Sequence, residues 1–363
     1  MLSALLSLSA LSLPSAEVGL VGRNLRWATR GLGSELLSNL GRVLARPLPL
    51  PEEATKKKAA AEEPPRLAVV TGATGGIGAE VCMGLATSGY EVLVAARNKT
   101  AAQALVARVR ASGGRATFFP LNLDSSSEAL ALAQRLRNRP VSLLINNAGT
   151  MGGPRNLTLR VNTLSPALLT LSLLPNLLPA GRVVNVGSSS HLRAGGVTLA
   201  ANDGRRDRDL SAYAQSKLAL MHFSSLLREH APEDVVIHDC HPGLVWTPML
   251  RKHLGPTVCG LLEYTGASRL LFRSPSQGAA TVLTAALIQA SESGIGKSTS
   301  TTYFINGRRA PIGASSPESR DAVLARRTWS KLQADEPILE QLARKHLPAV
   351  VRERLGGADI GFV

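Results

Sequence analysis

The chain has 363 residues, 44% of them hydrophobic and 18% charged, enough for one large domain or two small ones, which excludes a wholly disordered or collagen-like protein. A net charge of +15 comes from 41 Lys and Arg against 26 Asp and Glu, but the basic residues are scattered and only 4% of the chain is aromatic, so no phosphate-and-stacking surface for nucleic acid can be read from it. Cys82, Cys240 and Cys259 form neither a disulfide framework nor a metal-ligand spacing, and a reducing compartment is the simpler reading.

Residues 1–50 differ from the rest. Met1–Ala16 is apolar and serine-rich, too short and interrupted to span a bilayer, and lacks the basic start of a secretory signal. Val18, Val21, Leu25, Leu32, Leu36, Leu40 and Val43 then recur at helical steps, with Arg23, Arg26, Arg30, Arg42 and Arg46 on other faces and only Glu17 and Glu35 acidic. This describes an organelle transit peptide, mitochondrial ahead of plastid; an interfacial membrane helix or a plain tail is the alternative. Residues 51–65, with Pro51, Lys56–Lys58 and Pro64–Pro65, read as a linker, and a single domain is expected over 66–330.

Leu67–Val70 is an apolar run of buried-strand type that enters Thr71-Gly72-Ala73-Thr74-Gly75-Gly76-Ile77-Gly78. A helix to Ser88 and a strand over Tyr90–Ala96 follow, giving the first half of a doubly wound dinucleotide fold. Glycine lets the backbone approach a pyrophosphate, and the helix N-terminus offers that anion free N–H groups and the positive end of the helix dipole. At the end of the second strand an acid would bind the ribose hydroxyls of NAD; here stands Ala95-Ala96-Arg97-Asn98. Arg97 can pair with a 2′-phosphate through its planar fork, which favours NADP over NAD; otherwise it merely ends a strand at the surface.

Leu143–Ile145 leads into Asn146-Asn147-Ala148-Gly149, and Val183–Val186 into Gly187-Ser188, each an apolar strand stopping at the sheet edge where ligands bind in such folds. Tyr213-Ala214-Gln215-Ser216-Lys217 opens a helix expected to run to about Glu229, with Tyr213 and Lys217 on one face. A nearby ammonium lowers the pKa of a tyrosine that would otherwise titrate near 10, making it a usable acid–base.

These residues, with Asn162, Arg182–His191 and His241–Thr247, resemble the short-chain dehydrogenase/reductase family, most closely its retinol dehydrogenase-type branch. The resemblance spans about 66–330 and includes a long interval from Ser188 to Tyr213 and the stretch Ala325–Ser330. It implies a doubly wound (Rossmann) α/β fold with a mostly parallel sheet and an NADP(H)-dependent interconversion of carbonyl and alcohol. Tyr213 would move the proton at the substrate oxygen, Lys217 would tune Tyr213 and bind the nicotinamide ribose, Ser188 would polarise the carbonyl, and Asn162 would anchor a water relaying protons from Lys217. The cofactor would lie along Thr71, Gly72, Thr74, Gly76, Ile77 and Gly78, with Arg97 and Asn122 at the adenosine end beside Asn147, Ala148 and Gly149, and with Pro242, Gly243 and Thr247 over the nicotinamide. Asn122 replaces the family's usual Asp, Ser142 another, and the interval from Gly149 to Asn162 is shorter than the branch usually has. Homo-oligomers are common in the family.

Leu244, Trp246, Met249 and Leu250 favour an apolar substrate such as a retinoid, steroid or lipid aldehyde. A non-enzymatic NADP(H) sensor, or a double-bond reductase acting on a pigment precursor, are the alternatives. Gly294–Ser298 imitates the end of a phosphate loop, but Ser291 stands where its first glycine would fall. His238-Asp239-Cys240-His241 cannot converge on a metal from a strand, because neighbours face opposite ways, and no metal is expected. His191 reads as a local structural residue, Ser211 and Ser216 as helix-surface or packing residues, and Arg205–Asp209 as a solvated loop. Residues 331–363 read as a helical extension, with an amphipathic helix over Leu332–Leu355 that packs on the surface or meets a membrane or a second subunit.

Overall fold

A strand that is apolar on every residue is stable only if both of its faces are covered. Leu67–Thr71 (β1), apolar up to its last residue, is such a strand, with all five side chains buried. The computed structural model describes residues 66–197, 210–232, 234–288, 302–311 and 313–347. The expected targeting segment and linker, Arg205–Asp209, Gly294–Ser298 and 348–363 lie outside the described residues.

From β1 the chain alternates through α1 (Gly76–Thr87), β2 (Glu91–Ala96), α2 (Lys99–Ala111), β3 (Arg115–Pro120), α3 (Ser126–Arg135) and β4 (Val141–Asn146). Residues Arg155–Leu159 (α4), a π-helical turn over Arg160–Leu164, and Ser165–Leu173 (α5) lead to β5 (Leu177–Val186). There follow α6 (Ser211–His230), β6 (Val236–His241), α7 (Pro248–Leu254), α8 (Pro256–Tyr264), α9 (Ala267–Leu271) and α10 (Pro275–Leu287). The strands β7 (Tyr303–Ile305) and β8 (Arg308–Arg309) and the helices α11 (Ala322–Asp335) and α12 (Ile338–His346) close the described chain.

The sheet order is β3-β2-β1-β4-β5-β6-β7-β8, parallel throughout except for the last pair. The direction of winding reverses between β1 and β4, which opens the ligand crevice of a doubly wound sheet beyond their C-terminal ends. One core lies between the sheet and α1, α2 and α10, and the other between the sheet and α3, α5, α6, α11 and α12. The run Arg155–Asn176 is long and apolar enough to cross a bilayer, but it is a core element, with Leu168, Leu169, Leu171 and Leu173 fully buried.

A buried polar ladder ties the sheet to α6. Asn146 donates to Asn185 Oδ1 at 2.8 Å, Asn185 to Ser224 Oγ at 2.8 Å, and Ser224 to Asp239 Oδ1 at 2.6 Å, while Arg228 pairs with Asp239 at 2.9 Å. His238, one residue earlier on β6, turns to the opposite face and donates from Nδ1 to Ala285 O at 2.7 Å. Burial there holds the His238 imidazole neutral, pulling its pKa down to about 3.

The domain end expected at 330 falls inside α11. Trp329, Leu332, Leu339, Ala343 and Leu347 all enter the core that holds Leu168 and Leu220, so residues through 347 belong to the domain rather than to an extension of it. The single helix expected from Leu332 is two helices, because Pro337 has no N–H to continue the first and its ring obstructs the preceding turn.

Candidate active site

The turn after β1 is shaped by close backbone approach. Gly72 has φ +60°, and a Cβ there would lie 2.6 Å from Ala148 Cα. A Cβ on Gly78 would lie 2.5 Å from Gly72 O. The bonding of α1 begins with Ala79 N–H to Gly75 O at 2.9 Å, so the earlier amides have no helical acceptor, and Gly76, Ile77 and Gly78 line a cleft of about 330 Å³. Thr74, Gly72, Asn147, Ala148, Gly149 and Asn122 line it too.

Thr71 does not. It is fully buried, and its hydroxyl donates to Ile145 O at 3.3 Å while accepting from the N–H groups of Asn147 and Ala148, each at 3.1 Å. Thr71 thus fastens the end of β1 to the turn after β4. Asn147 returns the favour, donating from Nδ2 to Thr71 O at 3.0 Å and Gly72 O at 3.1 Å. The glycine turn is held from behind by the very strand that bounds the other side of the crevice.

Arg97 lines the cleft at the C-terminal end of β2, exposed and with no hydrogen-bond or ion-pair partner among the described residues. Capping of α2 is done by Asn98, whose side chain accepts from Ala101 N–H at 3.0 Å. Arg97 is therefore not engaged in local structure. Asn122 reaches the cleft, and its Oδ1 accepts from Asp124 N–H at 3.2 Å, so its oxygen is already partly used in a local turn.

Ser188, from the turn after β5, Tyr213 and Lys217, both from α6, and Asn162, from the π-helical turn, converge. Tyr213 opens α6 and is buried; Lys217, one turn on, places its ammonium 5.8 Å from the Tyr213 ring centroid and donates to Val186 O at 2.9 Å. Burial lowers the Lys217 pKa to about 8. Asn162 sits in the π-helical turn, fully buried, and the shortened segment before it is spanned by hydrogen bonds: Oδ1 accepts from Thr150 N–H at 2.8 Å and Nδ2 donates to Thr150 O at 3.0 Å. Nδ2 also donates to Ser216 Oγ at 2.9 Å, so Ser216 supports the site from α6. A Cβ on Gly149 would lie 3.4 Å from Asn162 Oδ1 and 3.6 Å from Lys217 Nζ, which puts both groups beside the glycine that closes the cleft.

A second cavity of about 110 Å³ adjoins the cleft. Tyr213, Ile77, Gly187, Pro242, Thr247 and Met249 line both. The inner cavity adds the polar residues Ser188, Ser189, Ser190, Arg193 and His241 together with Gly243, Met151, Leu244, Val245 and Leu250, so the Ser188 and Tyr213 hydroxyls share it with a set of apolar side chains. Ser188 Oγ donates to Ser190 Oγ at 3.1 Å and accepts from Ser190 N–H at 3.2 Å. Thr247 caps α7 by accepting from Leu250 N–H at 3.3 Å.

Three residues support the site: His191, the local structural residue expected from the sequence, His241, which the sequence offered only as the edge of a family stretch, and Arg273, which carried no signal. His241 Nδ1 accepts from Ser189 N–H at 3.3 Å and Gly243 N–H at 3.4 Å, joining the turn after Ser188 to the one after Pro242. Arg273 donates to Pro242 O at 3.3 Å and to Asn306 Oδ1 at 2.7 Å, filling the space that a Cβ on Gly243 would need. His191 donates from Nδ1 to Ser188 O at 2.6 Å and accepts at Nε2 from Ser316 N–H at 3.3 Å. Among the described residues no group of three or more His, Cys, Asp or Glu is placed to hold a metal ion.

The family model for short chain dehydrogenases matches residues 66–255. The chain is 37% identical to a polyprenol dehydrogenase of Mus musculus over 74% of this chain and 83% of that one. It is 34% identical to the dehydrogenase/reductase SDR family member 13 of Bos taurus, over 73% and 71%. To a chloroplastic short-chain dehydrogenase of Brassica napus it is 34% identical, over 61% and 75%. Among solved structures, an uncharacterized protein from Mycobacterium paratuberculosis superposes with a TM-score of 0.57 at 26% identity, over 79% of this chain and 98% of that one. A 3-oxoacyl (acyl-carrier-protein) reductase from Agrobacterium tumefaciens with NADP bound gives 0.53 at 26% identity, over 67% and 94%. With a parallel sheet wound about a glycine-rich crevice, a family model over more than half its length and relatives of this closeness, the chain belongs to the short-chain dehydrogenase/reductase family of dinucleotide-dependent oxidoreductases.

Proposed function

We propose that the protein uses NADP(H) to interconvert a carbonyl and an alcohol on an apolar, lipid-like substrate. The observation that carries this reading is the junction of the two cavities at Tyr213, where a cofactor cleft meets a chamber that combines the apolar side chains of Met151, Leu244, Val245 and Leu250 with the Ser188 hydroxyl and other polar groups. The name of the murine relative, a polyprenol dehydrogenase, supports a lipid-like substrate.

When bound, the nicotinamide supplies or accepts the hydride at the substrate carbon. In the reducing direction Ser188 and Tyr213 hold the carbonyl oxygen by hydrogen bonds that strengthen as negative charge develops there. Tyr213 then delivers its proton to that oxygen, leaving a phenolate that the nearby Lys217 ammonium stabilises. Lys217 keeps that charge below about pH 8 and stays fixed by Val186 O. Asn162, clamped to Thr150, would anchor a water for reprotonation. The apolar wall of Ile77, Met151, Leu244, Val245 and Leu250 excludes bulk water from the reacting groups.

NADP is preferred over NAD because Arg97 stands unengaged where a carboxylate would repel a 2′-phosphate. An organelle is the expected location, with mitochondrion ahead of plastid on the composition of residues 1–50. The test is NADPH oxidation by the full chain against isoprenoid, retinoid and steroid aldehydes and ketones, with NADH and substrates carrying a conjugated carbon–carbon double bond alongside. Turnover of carbonyls with NADPH is the expected result. Reduction of double bonds alone, or no binding of NADPH, overturns the proposal.

A further inference from the structure

The described residues expose six large apolar side chains, and these are not scattered. Four of them, Met249, Leu261, Tyr264 and Leu270, lie on α7, α8 and α9; a fifth, Leu192, lies in the turn after Ser188. Tyr264 is 92% exposed. Single exposed apolar residues need no explanation, but a concentration of them does. Leu261 and Tyr264, three residues apart, share a face of α8, and Met249 and Lys252 share one of α7. No side chain of the three helices enters any of the hydrophobic core clusters, so these apolar positions are not the fringe of the interior.

Basic residues are interleaved with them. Arg251, Lys252 and Arg269 are exposed on the same helices, and Arg193 is exposed beside Leu192. The one acid of α7–α9, Glu263, is engaged by Arg251 at 3.3 Å and by Trp246 Nε1 at 3.1 Å. Lys252 and Arg269 have no ion-pair partner among the described residues. Met249 is at once exposed and part of the lining of the inner cavity, so this basic, apolar face begins at the mouth of the chamber that holds Ser188 and Tyr213.

We propose that α7–α9, with the Leu192–Arg193 turn, dock on the anionic surface of a lipid bilayer. Leu261, Tyr264 and Leu270 enter the interface, where an aromatic ring with a polar tip is well accommodated, and Lys252, Arg269 and Arg193 meet the phosphates. An apolar substrate then passes from the lipid past Met249 into the chamber without crossing water. The charge selects this occupant: two copies of one net-positive face repel each other, whereas an anionic surface neutralises it. The inference rests on the reading of the inner cavity as the site of an apolar substrate.

The test is flotation of the full chain with phosphatidylcholine vesicles, with and without phosphatidylserine. Two variants run beside it, Leu261→Ser/Tyr264→Ser/Leu270→Ser and Lys252→Glu/Arg269→Glu. All five positions are exposed, and an unchanged thermal midpoint verifies folding. The expected result is at least tenfold more bound protein on the anionic vesicles, a comparable loss in each variant, and unchanged turnover of a water-soluble carbonyl in the absence of vesicles. An environment-sensitive fluorophore on Tyr264→Cys gives an independent reading, shifting to the blue when anionic vesicles are added. Variants that float like the parent chain, a label that does not shift, or a variant-sensitive dimer in light scattering overturns the proposal, the last by making a second copy the occupant. Failure of the oxidoreductase reading shows itself separately, as absence of carbonyl turnover whatever the flotation.

Discussion

The turn Thr71–Gly78 and the helices α7–α9 follow two strands of the same sheet, and the turn and α7 edge the same cleft. Around the turn every glycine but Gly75 is hemmed in: a Cβ on Gly72 or Gly78 would strike backbone, and Thr71 and Asn147 cross-link the turn to β4. On α8, a Cβ on Gly260 would meet nothing within 4 Å, and Leu261 beside it is exposed. The rigid wall serves a ligand whose pyrophosphate never changes shape. The open wall reaches the second cavity through Met249 and Leu250 of α7.

The comparison can be broken by substitution. At the junction of the two walls, Tyr213→Phe removes the proton donor and is expected to cut turnover by about 10²–10⁴-fold while NADPH binding persists, as stopped-flow fluorescence would report. Gly72→Ala places a Cβ 2.6 Å from Ala148 Cα at φ +60°. Left-handed strain of about 1–2 kcal/mol then adds to about 1–3 kcal/mol of overpacking, and both the urea midpoint and NADPH affinity should fall.

Lys217 tests burial on the rigid side. Its folded pKa of about 8 lies below the unfolded value of about 10.4, so the unfolded chain binds more protons between those two pH values. Stability therefore rises with pH across that window, by up to roughly 3 kcal/mol. Denaturation curves should show the parent chain gaining on Lys217→Met from pH 8 upward; parallel curves would contradict the assigned burial. Arg97→Ala should weaken NADPH binding by the value of a charge-assisted contact, about 1.5–3 kcal/mol, and leave NADH binding unchanged in calorimetry. The smallest effect belongs to the open wall: Gly260→Ala in exposed helix should stabilise the protein by about 0.5–1 kcal/mol in the same denaturation assay that registers a loss for Gly72→Ala.

Much of the nucleotide site was legible because its signals are local. Gly72, Gly76 and Gly78 stand within one turn, and Tyr213 and Lys217 within one turn of helix, so spacing alone brings them together. The roles of His241 and Arg273 could not be read the same way, because Ser189 and Asn306 are distant in the chain and meet them only once the sheet has formed; His191, read as a local structural residue, does bond its near neighbour Ser188. Thr71 shows the opposite difficulty, since its place in a cofactor motif says nothing of which way its hydroxyl turns, and it turns inward. The domain end was misplaced because the resemblance fades near Ser330, whereas the apolar stripe of α11 runs on to Leu332 and is answered by Leu339 and Leu347. Periodicity reveals that a helix has a dry face; it does not reveal what keeps that face dry.

That last arrangement bears on how the molecule comes into being. α5 is made early, and its leucines share a core with Leu339, Ala343 and Leu347 near the end of the described chain. A ribosome therefore releases a sheet and its crossover helices before it releases the segment that seals them, and contacts so far apart in sequence form late. Until then the apolar side of α5 is a surface for chaperones or for wrong partners, and a cut that removed α12 would return it to that state. A segment synthesised late shelters one synthesised long before it.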